Sequence, residues 1–138
     1  MWLLDTDVVS EIRKGRRGDA GVISWYATVP PVTSYLSVLV VGELRHGIEL
    51  VRRRDASAAI NLDRWLASIL LDFGDRVLDV DRAVADMWGR LGVPDPVPEV
   101  DGLLAATALV HDLTLVTRNI SDVRATGARC LNPFHDAA

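Results

Sequence analysis

The sequence predicts an α/β fold, with a central, mostly parallel sheet covered by helices on both faces. Three observations point there. Short apolar runs alternate with helical segments along the whole chain, and no hairpin signal joins two consecutive runs. The 138 residues, 49% hydrophobic and 25% charged, suffice for one closed core and are too few for two, so residues 1–138 read as one domain.

The elements follow in order. Trp2-Leu3-Leu4 is a buried strand ended by Asp5-Thr6, and a helix over about 7–14 stops at Gly15. An amphipathic helix over 19–28 ends at Pro30-Pro31, and the β-branched and aromatic residues of 32–36 form a second strand. Ser37 caps a long helix reaching Arg54. Residues 61–73 continue helically to Gly74, 76–80 form a short third strand, and Asp81 caps a helix that ends near Gly92. Three prolines at 94, 96 and 98 demand a loop. The segment 100–111 is apolar around its circumference, as in a helix buried on all sides; 114–117 is a fourth strand and 129–131 a fifth.

Composition excludes several classes. One cysteine, Cys130, allows no internal disulfide, and His46, His111 and His135 lack zinc-site spacing, so any metal must be held by oxygen. No apolar run approaches the 18 or so residues of a membrane span, and Asp5 interrupts the first run too early for a signal peptide, which predicts a cytoplasmic protein. A net charge of −4 argues against non-specific coating of nucleic acid, which draws on neutralised phosphates.

Parallel open sheets place ligands beyond the carboxyl ends of their strands. Asp5 stands at such an end, and Asp7, two residues on, is the more natural helix cap, leaving Asp5 for another task. Glu43 falls on the apolar side of its helix, between Leu39, Gly47 and Leu50, where an unpaired carboxylate is costly. Gly42 and Gly47 beside it leave room for a backbone or a ligand. Asp101 opens the apolar helix, as a cap whose charge is carried inward. After the fourth strand, Asn119 or Asp122 completes the group. Carboxylates gathered within about 5 Å repel by several kcal/mol per pair unless protons or a cation intervene. Oxygen-only donors and phosphate chemistry point to Mg²⁺ or Mn²⁺, and thence to hydrolysis of nucleic acid.

The stretches Leu3-Leu4-Asp5-Thr6-Asp7-Val8-Val9-Ser10-Glu11, Val41-Gly42-Glu43-Leu44, Asp101-Gly102-Leu103-Leu104-Ala105-Ala106-Thr107-Ala108 and Val116-Thr117-Arg118-Asn119 resemble, in order and spacing, the PIN-domain family. The terminal Asn132-Pro133-Phe134-His135-Asp136 is similar to the branch of VapC-type toxins related to FitB. The resemblance implies a three-layer α/β/α sandwich, a Mg²⁺-dependent endoribonuclease, a homodimer, and inhibition by a VapB-like antitoxin. Asp5, Glu43 and Asp101 fall on the family's acidic positions. Asn119 stands where a fourth acid is frequent, so a second metal depends on its carbonyl oxygen or on Asp122.

Arg118, with Thr117, is the expected substrate contact; the basic clusters Arg13, Lys14, Arg16, Arg17 and Arg52, Arg53, Arg54 are further phosphate-binding candidates or merely solvated cations. Two other readings compete. Asp5-Thr6-Asp7 also fits a phosphatase of the haloacid dehalogenase type, with Asp5 as nucleophile and Asp7 as acid. A receiver-like signalling domain would use the same acids. Both favour a late lysine, and the only lysine is Lys14, in the first helix. An inactive, binding-only member of the family is the third alternative.

Overall fold

The structure, a computed structural model, describes residues 1–135; Asp136, the end of the toxin-like terminal segment, lies outside the described residues. Its sheet has five strands, β1 (Trp2–Leu4), β2 (Ser34–Ser37), β3 (Val77–Leu78), β4 (Thr114–Val116) and β5 (Cys130–Leu131), in the order β3-β2-β1-β4-β5. Every pairing is parallel, with Trp2 opposite both Ser34 and Thr114. Three-residue strands suffice because Leu3, Leu4, Leu36, Leu115 and Val116 are all but fully buried. Each such leucine contributes roughly 1.5–3 kcal/mol of transfer free energy.

Between the strands run α1 (Thr6–Arg13), α2 (Ala20–Tyr26), α3 (Val38–Arg52), α4 (Ala56–Phe73), α5 (Arg82–Arg90), α6 (Glu99–His111) and α7 (Ile120–Arg124). The chain moves outward from β1 to β2 and β3, then returns to β4 and β5 on the other side. Right-handed crossovers therefore put α1 to α4 on one face and α5 to α7 on the other. The helix contacts agree, pairing α1 with α2, α3 with α4, α5 with α6 and α6 with α7. Strand order reverses between β1 and β4.

Most elements start where short polar side chains can cap them. Ser37 accepts from Leu39 N at 3.0 Å, Asp55 from Ala58 N at 3.0 Å and Asp81 from Val84 N at 3.0 Å. Four readings are corrected. Asp5, not Asp7, is the N-cap of α1, accepting from Thr6 N at 2.7 Å. Strand β2 starts later than residue 32 because residues 31–33 form a 3₁₀ turn that Pro31 favours. Helix α6 starts at Glu99 with Pro98 in the N-cap position, so Asp101 sits inside the first turn. No element was expected between the fourth and fifth strands, and α7 stands there, too short to show a period.

Helix α6 is buried along Leu104 to Ala108, as its composition predicts, and buried Thr107 is satisfied by donating to Leu103 O at 2.8 Å. On the edge strand β5, Cys130 is half-buried; its thiol lies 3.4 Å from Ala128 O, and burial pushes its pKa up.

Candidate acidic site

At the carboxyl end of β1 the chain turns sharply, and Asp5 is fixed there from three sides. Its N–H donates to Val116 O at 3.0 Å, Oδ1 accepts from Thr6 N, and Oδ2 accepts from the Thr117 hydroxyl at 2.7 Å. Asp5 as a whole is 7% exposed. Thr117, expected to contact substrate, is instead buried: its hydroxyl orients Asp5 and also accepts from Asn119 N at 3.1 Å. It is a support of the site rather than part of its surface.

Glu43 reaches the same place from α3. The side chain is exposed, which corrects the expectation of burial, and Oε1 accepts from the Thr6 hydroxyl at 2.6 Å. The room left by Gly42 and Gly47 is unused within the chain, since a Cβ at either position would meet nothing. Asp101 approaches from the first turn of α6. Burial raises its pKa most, followed by the charges of Asp5, Asp122 and Glu43. Asn119 enters from the β4–α7 turn at the N-cap position of α7, where its side chain makes no capping bond. Asp122 is exposed on α7; its charge is felt at Asp101, but it does not line the cavity.

Asp5, Thr6, Asp7, Glu43, Val100, Asp101 and Asn119 line one open cavity of about 300 Å³. Asp7 belongs to this group although it was read as a cap. Burial, and next the charge of Asp5, push its carboxyl up to about 6. Oδ2 accepts from Arg118 N at 3.3 Å, and Oδ1 is buried without a partner. The acid pair at i and i+2 around a strand-end turn was the available signal for it. A second, mainly apolar cavity of about 240 Å³, lined among others by Ile48, Leu62 and Trp65, shares Thr6 and Glu43 with the first.

Among the described residues no three His, Cys, Asp or Glu side chains stand close enough to form a finished ion-binding cluster. The donors nonetheless fit a hard divalent cation. They are all oxygens, one of them, Asp7 Oδ1, is buried without a hydrogen bond, and the pKa values of Asp7 and Asp101 are raised first by burial and then by neighbouring acids, whose mutual repulsion a cation would relieve.

Arg118 is exposed at the rim, its guanidinium carbon 4.0 Å from the centroid of the Phe134 ring. The basic clusters are partly engaged elsewhere. Arg13 lies over Trp65, Lys14 pairs with Glu11 at 2.6 Å, and Arg52 pairs with Glu49 and Asp63.

A parallel sheet whose central strands end in an acid-lined cavity defines a class of small α/β proteins, and comparison with known proteins identifies the member. Residues 2–125 match the PIN domain, and the chain belongs to the PIN-domain family. Toxin FitB of Neisseria gonorrhoeae is 32% identical over 141 residues, covering 99% of this chain and 100% of that protein. VapC ribonuclease Y4jK of Sinorhizobium fredii is 33% identical over 145 residues, covering 99% and 100%. The crystal structure of FitAcB from Neisseria gonorrhoeae shares the fold with a TM-score of 0.89, at 32% identity over 98% of this chain and 99% of that one. These similarities favour the nuclease reading over the phosphatase and receiver readings of Asp5 and Asp7.

Proposed function

We propose that the chain is a Mg²⁺-dependent endoribonuclease and the toxin of a toxin–antitoxin pair. The observation that carries this reading is that Asp5, Glu43 and Asp101, from three distant segments, face one cavity at the end of a parallel sheet. Names among its relatives, a toxin and a VapC ribonuclease, support the same class.

In this reading Asp5, Glu43 and Asp101 would hold the cation, Asn119 would offer its carbonyl oxygen, and Asp122, outside the cavity, would be the reserve acid. Bound there, Mg²⁺ would lower the pKa of an attacking water and neutralise charge on the scissile phosphodiester. The protein supplies orientation. The Thr6 N–H and the Thr117 hydroxyl hold the two oxygens of Asp5, and the Thr6 hydroxyl holds Glu43. Arg118 takes a flanking phosphate at the rim. Water adds to phosphorus as the bond to the ribose oxygen breaks, and the leaving oxygen takes up a proton. Mn²⁺ suits the same donors.

The family likeness carries further proposals: a homodimer, a VapB-like antitoxin as partner, action in the cytoplasm, and residues 1–138 as a single domain. No helix among the described residues is long and apolar enough to cross a membrane. The deciding experiment incubates the purified chain, free of antitoxin, with single-stranded RNA in Mg²⁺ and separately in excess EDTA, with p-nitrophenyl phosphate in parallel. RNA cleavage that EDTA stops is the expected result. Release of p-nitrophenol without RNA cleavage would return the phosphatase reading.

A further inference from the structure

The last described residues fold back toward the candidate site and are held there. Asn132 Oδ1 accepts from Phe134 N at 3.0 Å, and Asp19 Oδ1, while capping α2, accepts from His135 N at 2.9 Å. Gly21 makes the approach possible, because a Cβ there would collide with Pro133 O and the backbone of His135. Phe134 is thereby seated at 6% exposure.

The guanidinium carbon of Arg118 lies 4.0 Å from the centroid of that ring. At its other end Arg118 adjoins the cavity without lining it. Its N–H donates to Asp7, and it stands between Thr117, which orients Asp5, and Asn119, which lines the cavity. A cavity lined by carboxylates repels a polyanion, so a cation held at the rim offsets a real barrier to entry. A guanidinium that meets a ring through its face directs its N–H donors along its own plane, the geometry in which it pairs with a phosphate. Ordering it beforehand spares rotamer entropy that phosphate binding would otherwise cost.

We infer that Phe134 is a positioning residue: its ring holds the Arg118 guanidinium at the rim of the acidic cavity, poised for a phosphate of single-stranded RNA. The RNA part rests on the nuclease reading; the ring–guanidinium contact does not.

The test uses the full chain with Asp5→Asn as the parent background and a short fluorescein-labelled single-stranded RNA, read by anisotropy. Phe134→Leu keeps an apolar side chain and removes the ring; it is expected to weaken binding about fivefold. Phe134→Tyr should bind like the parent. Arg118→Ala should lose at least as much, and the double variant no more than Arg118→Ala alone. With Asp5 intact, Phe134→Leu should raise KM and leave kcat within about twofold. Binding by Phe134→Leu equal to the parent's, or losses that add in the double variant, would overturn the inference. If Phe134→Leu does not fold, Arg118→Lys decides: several-fold weaker binding supports the stacked guanidinium, and unchanged binding overturns it. The Arg118 Nε–Hε NMR resonance gives a readout independent of catalysis, since the ring should shift it upfield in the parent; an unshifted resonance overturns the contact. Wild-type protein that cleaves no RNA while these binding differences persist would sink the nuclease reading and retain the role of the ring.

Discussion

On α3 and α4, Arg45 and Arg52 share the Asp63 carboxylate at 2.6 Å each, and Glu49 meets Arg52 through two bonds of 2.9 and 3.0 Å. At the end of β1, Asp5, Asp7, Glu43 and Asp101 face a common cavity. In the first region every carboxylate meets a guanidinium, and Asp63 is held below the ordinary aspartate range by Arg52 and then Arg45. In the second, burial and neighbouring acids push Asp7 and Asp101 the other way. The solvated network is satisfied as it stands and contributes little to stability. The cavity concentrates negative charge against its own electrostatics, the pattern expected of a binding site rather than of a folding contact.

The comparison is broken most directly at Asp5. Asp5→Asn should cut Mg²⁺-dependent RNA cleavage by about 100-fold or more while retaining the fold, as circular dichroism would report. Mg²⁺ should raise the melting midpoint of the wild type and of Asp63→Asn but not of Asp5→Asn, because only a ligand that binds the folded state stabilises it. Equal stabilisation of all three would place the cation elsewhere. Thr117→Val comes next. It leaves Asp5 Oδ2 and Asn119 N without their hydroxyl partner, so cleavage should fall about 10- to 100-fold. Chemical denaturation should show a loss of about 1–3 kcal/mol.

Gly21→Ala forces the C-terminal segment off α2 and should cost about 1–3 kcal/mol in the same assay. The smallest effect belongs to Asp63→Asn, and its sign follows from pH. The folded-state pKa of Asp63 is lowered, so its stabilisation is complete above the unfolded value near 3.8 and is lost as pH falls through the folded value. Wild type and variant should therefore differ slightly in melting midpoint at pH 7 and converge below about pH 3.8. A difference that widened in acid would contradict the pairing.

What could be read from the residues depended on whether the signal was local. Alternating apolar runs and helices foretold the parallel sheet, and Ser37 and Asp81 cap as their positions suggest. Five side chains were placed less well, each for a physical reason. A helical wheel assigns Glu43 to the apolar side of α3, yet near a cavity at the sheet's edge that side meets solvent. Cap preference favoured Asp7, whereas the hydroxyl of Thr117, distant in sequence, holds Asp5 in the bonded position and leaves Asp7 half-satisfied. Asp101 appeared to open α6 because the helix begins within the last residues of the proline-rich stretch. The Thr117 hydroxyl looked like a surface contact because nothing in a strand-end tetrapeptide reveals which side chain turns inward. The Phe134–Arg118 contact joins the segment after β5 to the β4–α7 turn, and no periodicity encodes it.

Cys130 has a practical corollary for labelling chemistry. The chain's one sulfhydryl is half-buried on β5 with its deprotonation disfavoured, so it should react slowly with maleimides. A second cysteine on solvent-facing α7, for instance Ser121→Cys, would then accept an environment-sensitive dye selectively, without a cysteine-free background. A fluorophore there would stand two residues beyond Asn119 and report, in real time, what enters the neighbouring hollow.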